Sequence, residues 1–476
     1  MSKRIYLCLA HMSESGLEQK YIKEAFDTNW VVPLGPNVNG FEDDLRNFVN
    51  TVDVSEGCKC PDRSGTPLPT GGGAQGSEAN LGGVPGRTLR TPSQVNGTML
   101  NKEVVALSAG TAAVHLALIA CGVGPGDEVC VQSFTFCASS HPITYLGAQP
   151  VFIDSEPDTW NMDPDLLEKA IQDRIAKTGR KPKAIVPVAL YGMPYDCEKI
   201  MDVADKYDIP VIEDAAEGFG SRYKGQVLGT FGRYGVLSFN GNKMITTSGG
   251  GALICPDREA WQTVMMYATQ FRESYPYYQH EKIGYNYRMS NICAGIGRGQ
   301  MTVAEDHIAH HRHIAQMYEQ LFADIEGITF HKGPDFAAEG SNYWLNTITV
   351  DPSVHVKGQE NAYAQIVTGA VGGAAGVIHA AASAHTDCEP NANVEALRTG
   401  LDAAGIEARP VWKPMHKQPV YASAPAYLRP ANMFGSNEAS VSEAIFKVGM
   451  CLPSGPMVTD EDVRYIVDTI KSLIVK

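Results

Sequence analysis

The sequence predicts an α/β protein with a mainly parallel sheet covered by helices on both faces, followed by a smaller α+β unit. Two observations carry this. Between Asn101 and Pro256, short apolar runs alternate with helical patterns, as βαβ units do when helices bury both sides of a sheet. From Met301 the alternation stops, and a long helical segment, AEDHIAHHRHIAQMYEQLFADI, leads into mixed short strands and helices. The expected division is a larger domain over 1–300 and a smaller one over 301–476.

Within the larger unit, EVCVQ (128–132) reads as a strand, FTFCASSHPITYLG (134–147) as a helix and PVFIDS (150–155) as the next strand. DPDLLEKAIQDRIAKTG has helical spacing, with Asp163 as the cap and Pro164 in the first turn, where no N–H is needed. AIVPVALYG is a buried strand, YDCEKIMDVADKYD a helix, and PVIEDAA a strand that ends at Asp214. Ligands of such sheets collect at the carboxyl ends of the strands, which is where Asp214 falls. Two stretches interrupt the order: residues 52–100, rich in Gly, Pro and Ser, and residues 354–392, rich in Ala and Gly. Insertions this long are functional or disordered, and their composition favours disorder. Cys58 and Cys60 lack a second Cys/His pair at zinc-ligand spacing, so no metal is expected there.

Composition narrows the function. The chain has 476 residues, 44% hydrophobic and 19% charged, with 39 basic and 53 acidic side chains giving −14. That is a soluble globular balance. Without a basic block it excludes nucleic acid as a partner. No window reaches the length of a membrane span and the N-terminus lacks a signal-peptide core. The eleven cysteines are odd in number and scattered, which points to a reducing cytoplasm.

Four features lie in order along the sheet-forming region. LSAGTAAVHLALIACG (107–122) places small residues ahead of an apolar helix, where free N–H groups can hold a phosphate. FTF places Phe136 just beyond a strand, able to stack on a ring. VIEDAAEGFG leaves Asp214 at the sheet edge, a partner for a cationic ring nitrogen. SFNGNKMITTSGGG sets Lys243 among small residues, where a desolvated amine can attack a carbonyl. Each alone has an ordinary explanation: a helix start, a core phenylalanine, a helix cap, a surface lysine. Together they describe one ligand with a phosphate, an aromatic ring, a ring nitrogen and an aldehyde, which is pyridoxal 5′-phosphate.

SAGTAA, FTF, EDAAEGFGSRYKG, GTFGRYGVLSFNGNKMITTSGGG and GYNYRMSN resemble the DegT/StrS-type sugar-nucleotide aminotransferases of the pyridoxal phosphate fold type I class. HMSESGLEQKYIKEAFDTNWVVPLGPNVNGFE, YATQFRESYPYYQHEKIGYNYRMSN, RPVWKPMHKQPVY and CLPSGP resemble the branch that makes UDP-N-acetylbacillosamine precursors. The resemblance implies a seven-stranded-type sheet and a Schiff base on Lys243. It implies that Asp214 pairs with the pyridinium nitrogen and Phe136 stacks on the ring, while Thr111, Ala112 and Ser238 hold the phosphate. Asn286 would reach the cofactor phosphate of a neighbouring subunit, giving a homodimer with shared active sites. Glu217 matches a position near the cofactor O3′ and is expected to be protonated or turned to another partner. Arg288, Arg409 and His416 are the candidates facing substrate, with bracing of the dimer or a structural histidine as competing roles.

The implied reaction carries the amino group of L-glutamate to the C4 ketone of a UDP-linked 4-keto-6-deoxy-N-acetylhexosamine. The alternatives are the same chemistry on a GDP-linked or 3-keto sugar, a dehydratase branch that Lys243 argues against, and a non-catalytic cofactor-binding protein. His307, His310, His311 and His313 suggest a metal because 307 and 311 share a helix face, but no carboxylate pattern accompanies them and a plain helix is expected.

Overall fold

The computed structural model describes residues 4–53, 89–90, 94–95, 98–363 and 388–475. Most of the Gly/Pro/Ser-rich stretch, with Cys58 and Cys60, lies outside the described residues, as do 364–387. The chain begins with α1 (Leu17–Asp27) and α2 (Pro36–Val49) and then enters a run of strands and helices. These are β1 (Glu103–Leu107), α3 (Gly110–Ala120), β2 (Glu128–Gln132), β3 (Gln149–Ile153), α4 (Pro164–Thr178), β4 (Ala184–Val186) and α5 (Cys197–Tyr207). β5 (Ile212–Asp214), β6 (Tyr234–Ser238), β7 (Gly251–Cys255), α6 (Arg258–Ala268) and α7 (Asn291–Met301) follow.

Two four-stranded groups are joined by isolated parallel bridges from Ile185 to Val211 and from Val188 to Asp214. Apart from a short edge strand at Ala426–Tyr427, they form one seven-stranded sheet in the order β1-β7-β6-β5-β4-β2-β3. Only β7 runs against its neighbours; β6 with β5, β2 with β4 and β2 with β3 are parallel. This is the mainly parallel fold type I sheet that the sequence predicts. Side chains alternate between its two faces. Val104 and Ala106 of β1 join Cys130, Val151 and Leu237 in one core, whereas Val105 and Leu107 join Val129, Phe152 and Val236 in another. Both faces are therefore dry, and the strands read as continuous apolar runs.

The expected cap on α4 forms: the Asp163 carboxylate accepts from the N–H groups of Asp165 and Leu166 at 2.9 and 3.1 Å. Gly179, at φ 71°, ends the helix in the left-handed conformation. Two expected elements are shorter. Residues 134–147 are not one helix but a 3-10 turn, Cys137–Ser139, followed by His141–Tyr145. Pro142 starts the second piece, and a proline cannot continue a helix from the turn before it. The strand expected over AIVPVALYG stops at Val186, where Pro187 follows, and the chain passes instead through Tyr191 at φ 54°. Both breaks free the chain at the carboxyl end of the sheet.

Beyond α8 (Ala304–Phe322), strands β8 (Ile328–Phe330), β9 (Asn346–Val350), β10 (Arg409–Pro410) and β11 (Gly449–Leu452) pair in a purely antiparallel sheet. Its core takes Ile314, Tyr318 and Phe322 from α8 and Val463, Ile466 and Ile470 from the last helix, Asp460–Leu473. Val354 and Val356, inside the Ala/Gly-rich stretch, are buried there, and so is Ile5 from the beginning of the chain. Among the described residues no helix is long and apolar enough to cross a membrane.

Candidate active site

Lys243 sits in the turn after β6. Phe239 N–H donates to Gly250 O and Thr247 N–H to Phe239 O, both at 2.9 Å, so the turn closes on itself and holds Lys243 beyond the sheet edge. The lysine side chain is 13% exposed, and its Nζ lies 3.6 Å from Glu217 Oε1. The same Nζ is 4.0 Å from the centre of the Trp344 indole. The Trp344 indole N–H donates to Asn242 O at 2.7 Å, fastening the ring to the turn that carries the lysine.

The three consecutive glycines after this turn have three different reasons. A side chain at Gly251 would strike the backbone of Ala109 and Gly110, and one at Gly250 would strike Thr247 and Met289. Gly249 faces open space and lines the cavity. The left-handed residue is Ser248, at φ 71°. The turn back toward the sheet thus rests on a serine, while the glycines permit close approach.

The cavity has a volume of about 340 Å3 and gathers Ser108, Thr111, Phe136, Asp214, Glu217, Ser238 and Lys243. One wall is the start of α3. Its cap position is Ala109, which offers no side-chain hydrogen bond, so the first N–H groups point into the cavity unclaimed by a cap. Gly110 lets that helix start lie against Ser238, since a Cβ there would come within 3.1 Å of the Ser238 Cβ. Phe136 stands in the wall 53% exposed, its ring 5.9 Å from that of Trp412.

The carboxylates are buried and spoken for. Asp214 Oδ2 accepts from Ser139 Oγ at 2.6 Å and Oδ1 from Ala216 N–H at 3.1 Å. Behind Ser139 stands Thr135, 2.8 Å away. Burial pushes the Asp214 carboxyl above its ordinary range, against the opposing pull of Ser139, Ala216 and Lys243. Glu217 Oε2 accepts from Tyr191 N–H at 2.7 Å, and the left-handed backbone of Tyr191 is what turns that N–H inward. Burial raises Glu217 too, against Lys243 and Tyr191, with nearby Asp214 adding to the rise. The expectation that Glu217 turns to another partner therefore meets a specific one.

This donor set fits pyridoxal phosphate. An uncapped helix start suits its phosphate, a buried carboxylate its ring nitrogen, and a largely desolvated amine its aldehyde. The DegT/DnrJ/EryC1/StrS aminotransferase family profile matches residues 95–362 and 359–471. The chain belongs to this family. It is a pyridoxal phosphate-dependent aminotransferase of sugar nucleotides. Over 475 residues it is 38% identical to EpsN of Bacillus subtilis (strain 168), covering 99% of this chain and 96% of that one. It is 34% identical over 364 residues to the GDP-perosamine synthase of Escherichia coli O157:H7, covering 76% and 84% of the two chains. The crystal structure of a DegT DnrJ EryC1 StrS aminotransferase from Brucella abortus superposes with a TM-score of 0.71 at 23% identity, over 97% of this chain and 96% of that one; at that identity the likeness speaks for the fold.

The structure separates the remaining candidates of this aminotransferase from the cavity. The Arg288 guanidinium is buried against Glu42 Oε1 and donates to Ala106 O at 3.1 Å. Within the chain it braces α2 to β1. His416 is 5% exposed, with Nδ1 2.7 Å from Ser133 Oγ and Nε2 3.1 Å from Glu443 Oε1, which leaves its ring no free nitrogen for a ligand. Arg409 donates to Glu407 Oε1 at 2.8 Å and is not a lining residue. Asn286 is exposed and also lies outside the cavity. Among the described residues no three His, Cys, Asp or Glu side chains are grouped to hold a metal.

Sequence reasoning missed Ser139, Tyr191, Trp344 and Trp412. Ser139 and Trp412 had a local signal, the first three residues after Phe136 in the same loop and the second between Arg409 and His416. Tyr191 OH accepts from Trp412 N–H at 2.8 Å, and Asn342 joins Glu217 O to Trp344 N–H at 2.9 and 2.8 Å. These links connect segments far apart in the chain.

Proposed function

We propose that the enzyme moves the amino group of L-glutamate to the C4 ketone of a UDP-linked 4-keto-6-deoxy-N-acetylhexosamine, releasing 2-oxoglutarate and a 4-amino sugar nucleotide. The observation behind the amino transfer is that Lys243, Asp214 and the uncapped start of α3 surround one cavity. Bound there, pyridoxal phosphate supplies an electrophilic carbon and an electron sink. Lys243 Nζ is placed to hold that carbon and, once freed, to carry a proton across the cavity as base and then acid. Asp214 has two acceptor sites taken by Ser139 and Ala216; a carboxylate has about four, so it can hold a proton on the ring nitrogen. Thr111, Ala112 and Ser238 would provide donors for the phosphate, and Phe136 would flank the ring.

For the acceptor, support comes from residues 409–421. This segment resembles the UDP-N-acetylbacillosamine branch, and its Trp412 lines the cavity. A second reading, a GDP-linked 4-keto-6-deoxymannose, draws on the 34% identity to GDP-perosamine synthase. The test is stepwise. L-Glutamate added to the purified holoenzyme should bleach the visible band of the cofactor, and the UDP-linked keto sugar should restore it. Restoration by the GDP-linked sugar alone would overturn the UDP assignment. No bleaching by L-glutamate would overturn the donor.

The site is completed in a homodimer. Asn286 is exposed, as are Tyr277, Tyr278 and Ile283 earlier in the same segment, and Trp30, Val31 and Leu34 are exposed ahead of α2. Mixing Lys243→Ala with Asn286→Ala protein should regain activity that neither variant has, because one site of the mixed dimer is intact. Absence of that rescue would return Asn286 to a surface role.

A further inference from the structure

Helix α8 carries histidines at 307, 310, 311 and 313, and two of them, His307 and His311, share its inward face at i and i+4. His307 is 8% exposed and His311 wholly buried. His307 Nδ1 lies 3.2 Å from the carbonyl oxygen of Met244, the residue after Lys243. His311 Nδ1 lies 3.1 Å from the carbonyl oxygen of Tyr343, the residue before Trp344. A carbonyl oxygen only accepts, so both rings carry their proton on Nδ1. Burial pushes both imidazoles down, His311 to about 3, against the pull of those carbonyls, which keeps the rings neutral.

The two carbonyls belong to the two segments that meet at the amine. Lys243 Nζ rests over the Trp344 ring, and the indole N–H returns to Asn242 O. Tyr343 is left-handed, at φ 50°, a conformation that a bulky residue keeps only when its surroundings hold it. Two groups hold its backbone here: Ser341 Oγ accepts its N–H at 3.0 Å, and His311 donates to its carbonyl.

We propose that His307 and His311 act as a positioning pair for Lys243: one rigid helix face fixes the carbonyl beside the lysine and the carbonyl beside its indole wall, so the amine stays stacked on Trp344 and directed at Glu217. Neither histidine lines the cavity; they act through the lysine. The assignment rests on Lys243 being the residue that holds the cofactor.

Covalent capture tests it. Apoprotein is mixed with pyridoxal phosphate, samples are quenched with borohydride over time, and intact mass reports attachment at Lys243. His307→Leu and His311→Leu should each slow capture about fivefold to tenfold, the effect of one lost hydrogen bond. His307→Asn and His311→Asn, whose amide nitrogen sits where Nδ1 does, should restore capture to within about twofold. In a Lys243→Ala background, non-covalent cofactor affinity should be the same with and without the histidine changes. Asn variants no faster than Leu variants, or an affinity loss that persists without Lys243, would overturn the positioning role and leave only packing. If His311→Leu fails to fold, the His307 variants, on the less buried ring, decide by the same criteria. Should wild-type protein show no attachment at Lys243, the reading of the lysine itself fails, a result separate from normal attachment that ignores the histidines.

Discussion

Each end of the large sheet opens into a concavity, one at the amino ends of β2, β4 and β5 and the other at the carboxyl ends. The amino-end cleft is the larger, about 780 Å3, and is lined by Asp127, Glu128, Arg180, Lys181, Lys183 and Arg233 among others. Its charges are exposed or already paired. Arg180 donates to Gly126 O at 2.8 Å, Lys181 pairs with a fully exposed Asp208 at 2.9 Å, and Glu128 pairs with Arg174 at 2.6 Å. The carboxyl-end cavity is less than half as large, about 340 Å3, yet it holds Asp214 and Glu217 buried beside Lys243. A charge interacts more strongly where water is excluded, so the desolvated end is equipped for chemistry and the roomier end is not. Volume is the poorer guide; buried, partnered titratable groups are the better one.

The comparison can be broken at either end. Lys243→Ala should cost on the order of 10³-fold in kcat, measured with L-glutamate and the keto sugar; near-normal turnover would put the chemistry elsewhere. Asp214→Asn should follow at about 10²-fold, read in the same assay. Ser139→Ala removes one donor from Asp214 and should weaken cofactor affinity about tenfold, measured by fluorescence titration of the apoprotein. A subtler contrast concerns pH. Glu217 is pushed up by burial, so it takes up a proton on folding. Its contribution favours the folded chain at low pH and is lost as pH rises through the folded value. Glutamine carries no such dependence, and apo Glu217→Gln should therefore melt higher than wild type at about pH 8, with the gap closing toward about pH 5. At the other end, Lys183→Ala and Arg233→Ala should change stability by less than about 0.5 kcal/mol and leave kcat untouched. A substantial loss of activity there would show the cleft to be coupled to the site.

The sheet was legible because its strands are buried on both faces and therefore read as apolar runs. Lys243, Asp214, Thr111 and Phe136 were legible because each lies at, or within five residues after, the end of such a strand. Partners were not legible. Arg288, Arg409 and His416 look like free ligands in the sequence, and only the fold shows Glu42, Glu407 and Glu443 beside them. The same holds for Tyr191, whose inward N–H depends on a left-handed backbone that no local pattern demands. FTFCASSHPITYLG has helical spacing, but tertiary packing and Pro142 divide it, which leaves Ser139 free to reach Asp214.

The three glycines at 249–251 look like one constraint repeated, but they are three, and they would fail separately under mutation. Alanine at 251 presses on backbone, which cannot yield; at 250 it presses on the Thr247 and Met289 side chains, which can partly adjust; at 249 it meets nothing in the protein. Tolerance at 251 is thus a readout of folding and tolerance at 249 a readout of what enters the cavity. A library varied at position 249 alone, selected against different nucleotide sugars, would let the acceptor be inferred from which side chains survive.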